Sequence, residues 1–235
     1  MQSVKTDISD FYTSRRGTVA ILGAGPSVFY VDTQKLLNHD CIYVNSAAIL
    51  MPKEFDRSKR KIWLSLDRLC MRWSYFWEDA AKGEHIKLVS SDYSIYQDHI
   101  AKFNMRYFKT RAEIQITDIY DNKLCGGSSV LAAIDLALKI GYKRILLFGV
   151  DQRFVQGKSH FWEFLPPVKR PRFAGGINVS LKDQKKRFEK NVPYFEELKR
   201  IALSKDVEIL NCGKRTTTLK TFPKLNMTEA MEMLG

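Results

Sequence analysis

The chain is short of the residue patterns that announce ready-made chemistry. Its 235 residues hold four cysteines, at positions 41, 70, 125 and 212, with neither CxxC pairing nor zinc-site intervals. Such spacing excludes a legible disulfide framework or zinc ribbon and reads as reduced thiols in a cytoplasmic protein. Histidine is also scarce, at positions 39, 85, 99 and 160. There is no HExxH, no DxD pair and no GxxxxGK[ST], which removes the common zinc-protease and phosphate-loop readings and leaves metal use open. No apolar run approaches membrane-spanning length, and the opening MQSVKTDISDFYTSRRG lacks the apolar core of a signal peptide. The expectation is a soluble cytoplasmic protein with no membrane span.

Acidic residues are outnumbered. Thirty-eight Lys and Arg face 26 Asp and Glu, a net charge of +12, which suits a polyanionic partner: nucleic acid, an anionic lipid surface or a phosphate-rich substrate. The plainer alternative is a generically basic surface. The basic residues cluster at Arg57–Lys61 and again from Lys169 to Lys190, where Lys185, Lys186 and Arg187 are consecutive. A hydrophobic fraction of 45% supports a globular core, and the length fits one α/β domain with an arm over residues 1–16 and the domain proper over 17–235.

The most organised stretch is Gly126 to Phe154. Ser128 or Ser129 is placed to cap a helix whose apolar residues Val130, Ile134, Ala137, Leu138 and Ile140 keep helical spacing, and Gly141 stops it. Ile145–Phe148 then reads as a fully buried strand ending at Asp151. Further strands are expected at Thr18–Leu22, Cys41–Val44, Lys61–Leu66, Ile86–Val89 and Val207–Leu210. Helices are expected over Arg68–Ala81, from Asn178 or Ser180 to Ser204 with an interruption near Pro193, and over Thr228–Leu234, with a short one from Asp32 to Leu37. Residues 90–117 give no clear pattern. The Pro- and Gly-rich segment from about 152 to 180 reads as a lid. The fold expected is Rossmann-like α/β: a mostly parallel twisted sheet with helices on both faces.

Small or polar residues recur at the predicted strand ends: Gly23, Gly25, Pro26 and Ser27 after the first, Asn45 after the second, Asp67 after the third, and Asp151 and Asn211 later. Lined along one edge of a parallel sheet they form a polar crevice, the usual ligand site of this class. A glycine-rich turn there lets backbone N–H groups approach a phosphate. The GxGxxG fingerprint is incomplete, since Val28 holds the third glycine position, so the turn suits a mononucleotide better than a dinucleotide. His160 lies in the loop after Asp151 and offers a base; Asp151 is the alternative base or metal ligand.

GAGPS, VNSAA and GGSSVLAAIDLALKIGYKRILLFGVD together resemble the MptE-like Rossmann proteins, which include 6-hydroxymethylpterin pyrophosphokinase-like enzymes and Maf-type proteins. The same blocks resemble bacterial CMP-sialic-acid-dependent sialyltransferases. The resemblance covers about a third of the chain and implies nucleotide contacts at Gly23, Gly25, Pro26, Ser27, Asn45 and Ser128, and around Asp151. Ala24 stands where the sialyltransferase turn has Asn, and Gly176-Ile177-Asn178 lacks that family's histidine, so sialyl transfer itself is not implied. The leading expectation is a transferase using a nucleotide-sugar donor of CMP or UDP type on an acceptor hydroxyl, including a polyanionic acceptor such as modified DNA. His160 or Asp151 would serve as base. Nucleotide contacts come from the turn, Asn45, Asp67, Ser128 and Ser129, and phosphate or acceptor contacts from Arg153, Lys158, Lys169, Lys185, Lys186 and Arg187. The alternatives are a magnesium-dependent pyrophosphokinase, with Asp151 and Asp67 as ligands, and a non-catalytic nucleic-acid-binding module.

Overall fold

The computed structural model describes residues 11, 16–92, 99, 102–174, 181–213 and 219–234. Its strands are β1 (Arg16–Leu22), β2 (Asp40–Val44), β3 (Lys61–Ser65), β4 (Ile86–Ser90), β5 (Met105–Arg111), β6 (Lys123–Cys125), β7 (Tyr142–Phe148) and β8 (Glu208–Asn211). They form one sheet in the order β6-β5-β4-β3-β2-β1-β7-β8, and every neighbouring pair is parallel. The Rossmann-like expectation holds. Six strands fall within a few residues of their predicted bounds, while β5 and β6 add two to the edge that the sequence left blank.

Alternation along the central strands divides the core in two. Val19, Ile21, Ile42, Val44, Ile62 and Leu64 pack with helices α1 (Ser129–Ile140) and α2 (Leu181–Ser204). Ala20, Leu22, Cys41, Tyr43, Trp63 and Phe148 face the other way. There the cover is a set of short turns, 3-10 at Pro26–Tyr30, Asn45–Leu50 and Phe161–Phe164 and π at Phe76–Ala80, with helix α3 (Met227–Glu232). Helices therefore lie on both faces, long on one and short on the other.

Two predicted helices are cut short for visible reasons. The stretch 68–81 breaks at Trp73, whose extended backbone (φ −97°, ψ 140°) pairs with Phe173, while the Ser74 N–H donates to Arg172 O at 2.8 Å. The Asp32 carboxylate accepts from the Gln34 N–H at 3.0 Å and closes a turn rather than starting a helix. α2 runs unbroken through Pro193, where an interruption is expected from the sequence. Gly176 and the expected helix starts at Asn178 and Ser180 lie outside the described residues, as does most of the arm. Phe11 of that arm is buried in the first core face, flanked by the Arg60 and Arg106 guanidinium groups.

α1 sets the topology. It starts at Ser128, whose hydroxyl accepts from the Leu131 N–H at 3.4 Å, and ends at Gly141 in a left-handed conformation (φ 91°) that glycine adopts without Cβ strain. It carries the chain from β6, at one edge, back to β7 beside β1, so the strand order reverses between β1 and β7. The Asp135 carboxylate on α1 accepts from the Cys125 N–H at 2.8 Å and lies 4.0 Å from the Lys139 ammonium, which in turn contacts Asp121 at 3.1 Å. Arg111 joins the cluster through Asp121. Burial pushes the Asp135 carboxyl up to about 6, against the opposing pull of Lys139 and Arg111. Lys139 and Asp135 are fully buried, so each depends on the charges of the other members. Lys139→Met should cost about 3–5 kcal/mol in urea denaturation, as expected when one partner of a buried ion pair is removed. Adding Asp135→Leu should recover part of that loss; an unchanged midpoint in Lys139→Met, or an equal or greater loss in the double variant, would show that the two charges do not depend on each other.

Candidate active site

At the reversal, two loops meet backbone to backbone. The Gly23 N–H donates to Phe148 O at 2.7 Å and the Gly25 N–H to Gly149 O at 2.8 Å. A Cβ on Gly23 would sit 2.6 Å from Gly149 O, and one on Gly25 would sit 2.5 Å from the same oxygen and 2.6 Å from Asp151 Oδ2. Gly149, at φ +66°, is hemmed in by Gly23 O and Val28. The glycines thus have a structural reason to be small, independent of any phosphate. Asp151 is 3% exposed, and its Oδ2 accepts from the Ser27 N–H at 2.7 Å. It seals the first turn from across 124 residues of chain.

This revises the picture of an open anion cradle. Three N–H groups of the Gly23–Ser27 turn are already spent within the protein, Pro26 has none, and a 3-10 turn rather than a long helix follows. A 3-10 turn of five residues supplies little of the aligned dipole that makes a helix end attract phosphate. The Ser27 hydroxyl is buried and has no hydrogen-bond partner among the described residues.

A second polar knot ties β2, β3 and α1. Asn45 takes a left-handed conformation (φ 50°) at the end of β2. Its Oδ1 accepts from the Ser65 hydroxyl at 2.8 Å and the Ser129 hydroxyl at 3.0 Å, and its carbonyl accepts from the Trp63 indole at 3.0 Å. Ser129 Oγ accepts in turn from the Leu66 N–H at 2.8 Å. With the carbonyl end of the Asn45 side chain occupied, its Nδ2 amide remains as a donor, with no protein partner among the described residues. Asp67 accepts from the Leu69 N–H at 2.9 Å, closing its own turn. Ser65, not among the expected site residues, is buried here; a serine closing the apolar run Ile62-Trp63-Leu64 was its only signal.

The loop after β7 returns to this edge. The Phe161 N–H donates to Ala24 O at 2.9 Å, and the Phe161 ring is buried beneath. His160 is therefore one residue from a direct bond to the glycine turn. Its Nδ1 lies 2.7 Å from Ser159 Oγ and 3.5 Å from Glu163 Oε1, and its ring stacks on Trp162 at 5.2 Å. Nε2 has no hydrogen-bond partner among the described residues. Glu163 also accepts from the backbone N–H groups of Ser159 (2.9 Å) and His160 (2.8 Å). Burial pushes its carboxyl up, but these hydrogen bonds outweigh burial and hold it down at about 2. Trp162 continues into Trp73 and Phe173, with ring centres 5.4 and 4.8 Å apart. The loop after β7 is thus held to the first turn through Phe161 and to Trp73 through Trp162 and Phe173.

The proposed cations separate. The Lys158 ammonium lies over the Phe164 ring at 4.4 Å, and Lys169 is exposed on a 3-10 turn. Lys185, Lys186 and Arg187 are exposed on α2, and of these Lys185 lines a cavity with Arg153. Among the described residues, no group of three His, Cys, Asp or Glu side chains is arranged to hold a metal, and no helix is long and apolar enough to cross a membrane.

No family model matches the chain and no curated protein does. Among solved structures it is similar to the sialyltransferase CstII from Campylobacter jejuni in complex with a substrate analogue, cytidine-5'-monophosphate, at 17% identity and a TM-score of 0.44 over 91% of this chain and 86% of that one. It is also similar to the CMP-3FNeuAc complex, at 15% identity and 0.44 over 88% and 85%. The complex with trisaccharide acceptor and CMP gives 15% and 0.42 over the same shares.

The packing at the turn makes a direct prediction. Gly25→Ala forces a methyl group against Gly149 O, where neither backbone can yield cheaply, and should lower stability by about 1–3 kcal/mol. Urea denaturation measures it. An unchanged midpoint would show that the two loops are not locked together as described.

Proposed function

We propose that the crevice at the ends of β1, β2 and β7 is the donor site of a nucleotide-sugar-dependent glycosyltransferase. One observation carries the reading. The blocks that resemble nucleotide-sugar enzymes, GAGPS, VNSAA and GGSS…GVD, lie far apart in sequence yet converge where the strand order reverses, with a histidine bonded through its neighbour to the same turn. Ligands of open α/β sheets bind at this kind of switch point.

In this reading Asn45 Nδ2 donates to the nucleotide's base or ribose, and Ser128 and the buried hydroxyl of Ser27 face its polar groups. Asp151, Gly23 and Gly25 act by holding the turn in place. His160, its Nδ1 held by Ser159, presents Nε2 to the acceptor hydroxyl. As the acceptor oxygen forms a bond to the donor's sugar carbon, the bond from that carbon to the phosphate oxygen breaks. The phosphate leaves with the electron pair, and the hydroxyl proton passes to His160. Lys158 or Lys169 neutralises the departing phosphate. The acceptor is a hydroxyl compound, and the exposed Lys185-Lys186-Arg187 stretch of α2 favours an anionic one. The pyrophosphokinase alternative needs Asp67 and Asp151 on magnesium, yet each already caps a backbone N–H.

The test is donor turnover with CMP- and UDP-sugars, with and without acceptor. His160→Gln should lower turnover by about 10²–10⁴-fold, the range for loss of a general base, with little change in donor KM. A variant with wild-type turnover would remove His160 from the chemistry, and the absence of turnover with any nucleotide sugar, alongside turnover with ATP and a hydroxymethyl heterocycle, would overturn the reading.

A further inference from the structure

Beside the crevice, where β7 and β8 end under α2, lies a cavity of about 620 Å³. It is distinct in lining from the residues assigned above to the donor, sharing only Arg153 and Lys185 with the predicted cations. Four positive side chains border it: Arg153 from the β7 loop, Lys185 and Lys199 from α2, and Lys220 from the segment after β8. Among the described residues none of the four is in an ion pair, although ten other ion pairs are drawn from the same chain. The Arg153 Nε is buried with no hydrogen-bond partner among the described residues. A buried guanidinium N–H left unmatched costs free energy that a bound acceptor atom recovers.

Two carboxylates also border the space. Glu196 accepts from the Thr221 hydroxyl at 2.7 Å, and Glu189 leaves the balance at four positive to two negative. Gln152 adds an amide, and the rest of the lining is apolar. Phe154 and Phe188 meet with ring centres 5.8 Å apart, and Val192 and Leu219 complete the wall. Ligand pockets of this size combine an apolar body with a few convergent polar groups. Guanidinium and ammonium groups together favour phosphate, because arginine's fork matches two of its oxygens.

We propose that this cavity is a second binding site, for a phosphate ester with an aromatic or apolar body. The body lies against Phe154 and Phe188, and the phosphate meets Arg153 and Lys185. The volume admits one such unit and not a duplex. The site stands independently of the donor assignment, and if that assignment holds, it lies on the same sheet edge as His160 and is suited to an anionic acceptor.

Isothermal titration of the whole chain with phenyl phosphate tests it, with inorganic phosphate and phenol as the charge-only and body-only probes. Phenyl phosphate should bind at least tenfold more tightly than either. Lys185→Gln, a change on an exposed side chain, should weaken it severalfold, and Arg153→Gln and Phe188→Ala tenfold or more, with thermal unfolding checked for each. His160→Gln should leave it unchanged, so the outcome is separate from that of the donor reading. Phenyl phosphate binding no tighter than inorganic phosphate, or binding undiminished in Lys185→Gln and Arg153→Gln, would overturn the proposal. So would a loss confined to His160→Gln, which would move the ligand to the crevice.

Discussion

Everything at the candidate site depends on the contact between Gly23-Ala24-Gly25 and Gly149. Two parallel strands far apart in the sequence terminate side by side, and their outgoing loops pack backbone against backbone. The Asp151 carboxylate closes the junction on the Ser27 N–H. A carboxylate–amide bond out of water is stronger than a neutral one, and here it fixes the first turn relative to the loop that carries His160. Loosening this junction would displace both at once, because Phe161 is bonded to Ala24.

The two faces of the sheet divide the labour. On one, α1 is buried along nearly its whole length beneath α2, and its ionic cluster with Arg111 and Asp121 anchors it to β5 and β6. That anchoring holds Ser128 and Ser129 at the edge, where Ser129 reaches Asn45. On the other face, short turns replace long helices, and aromatic rings fill the gaps: Trp63 against Phe76, and Trp73 against Trp162 and Phe173. Short turns leave more loop at the strand ends, and loops held on a rigid sheet are where binding groups are commonly placed.

Much of this was readable from the residues in order. Continuous apolar runs such as Ile145–Phe148 marked the buried parallel strands, and Ser128 and Gly141 marked the ends of α1 through their capping chemistry. β5 escaped notice because Met105–Arg111 sits near the edge and carries Arg106, Lys109 and Arg111, which disguise its buried positions. β6 is three residues long and offers no period at all. The candidate site was legible as a set of strand ends, and not as a set of partners. Gly25 owes its small size to Gly149, and Asn45 its orientation to Ser65 and Ser129. Those pairings follow from strand order, which local pattern does not encode. Trp73 read as helical because its aromatic neighbours suit a buried helix face, yet its pairing with Phe173, a hundred residues on, overrides local propensity.

The central claim is that the crevice between the β1, β2 and β7 ends receives a nucleotide. Titrating isotope-labelled protein with CMP, and separately with UDP, while following amide resonances examines it without requiring an acceptor. The account predicts saturable shifts for one of the two nucleotides, concentrated at the Ala24 N–H, the Asn45 side-chain amide and the Ser159–Trp162 segment. Shifts absent from all three places, or confined to the α2 cavity around Phe188, would contradict it.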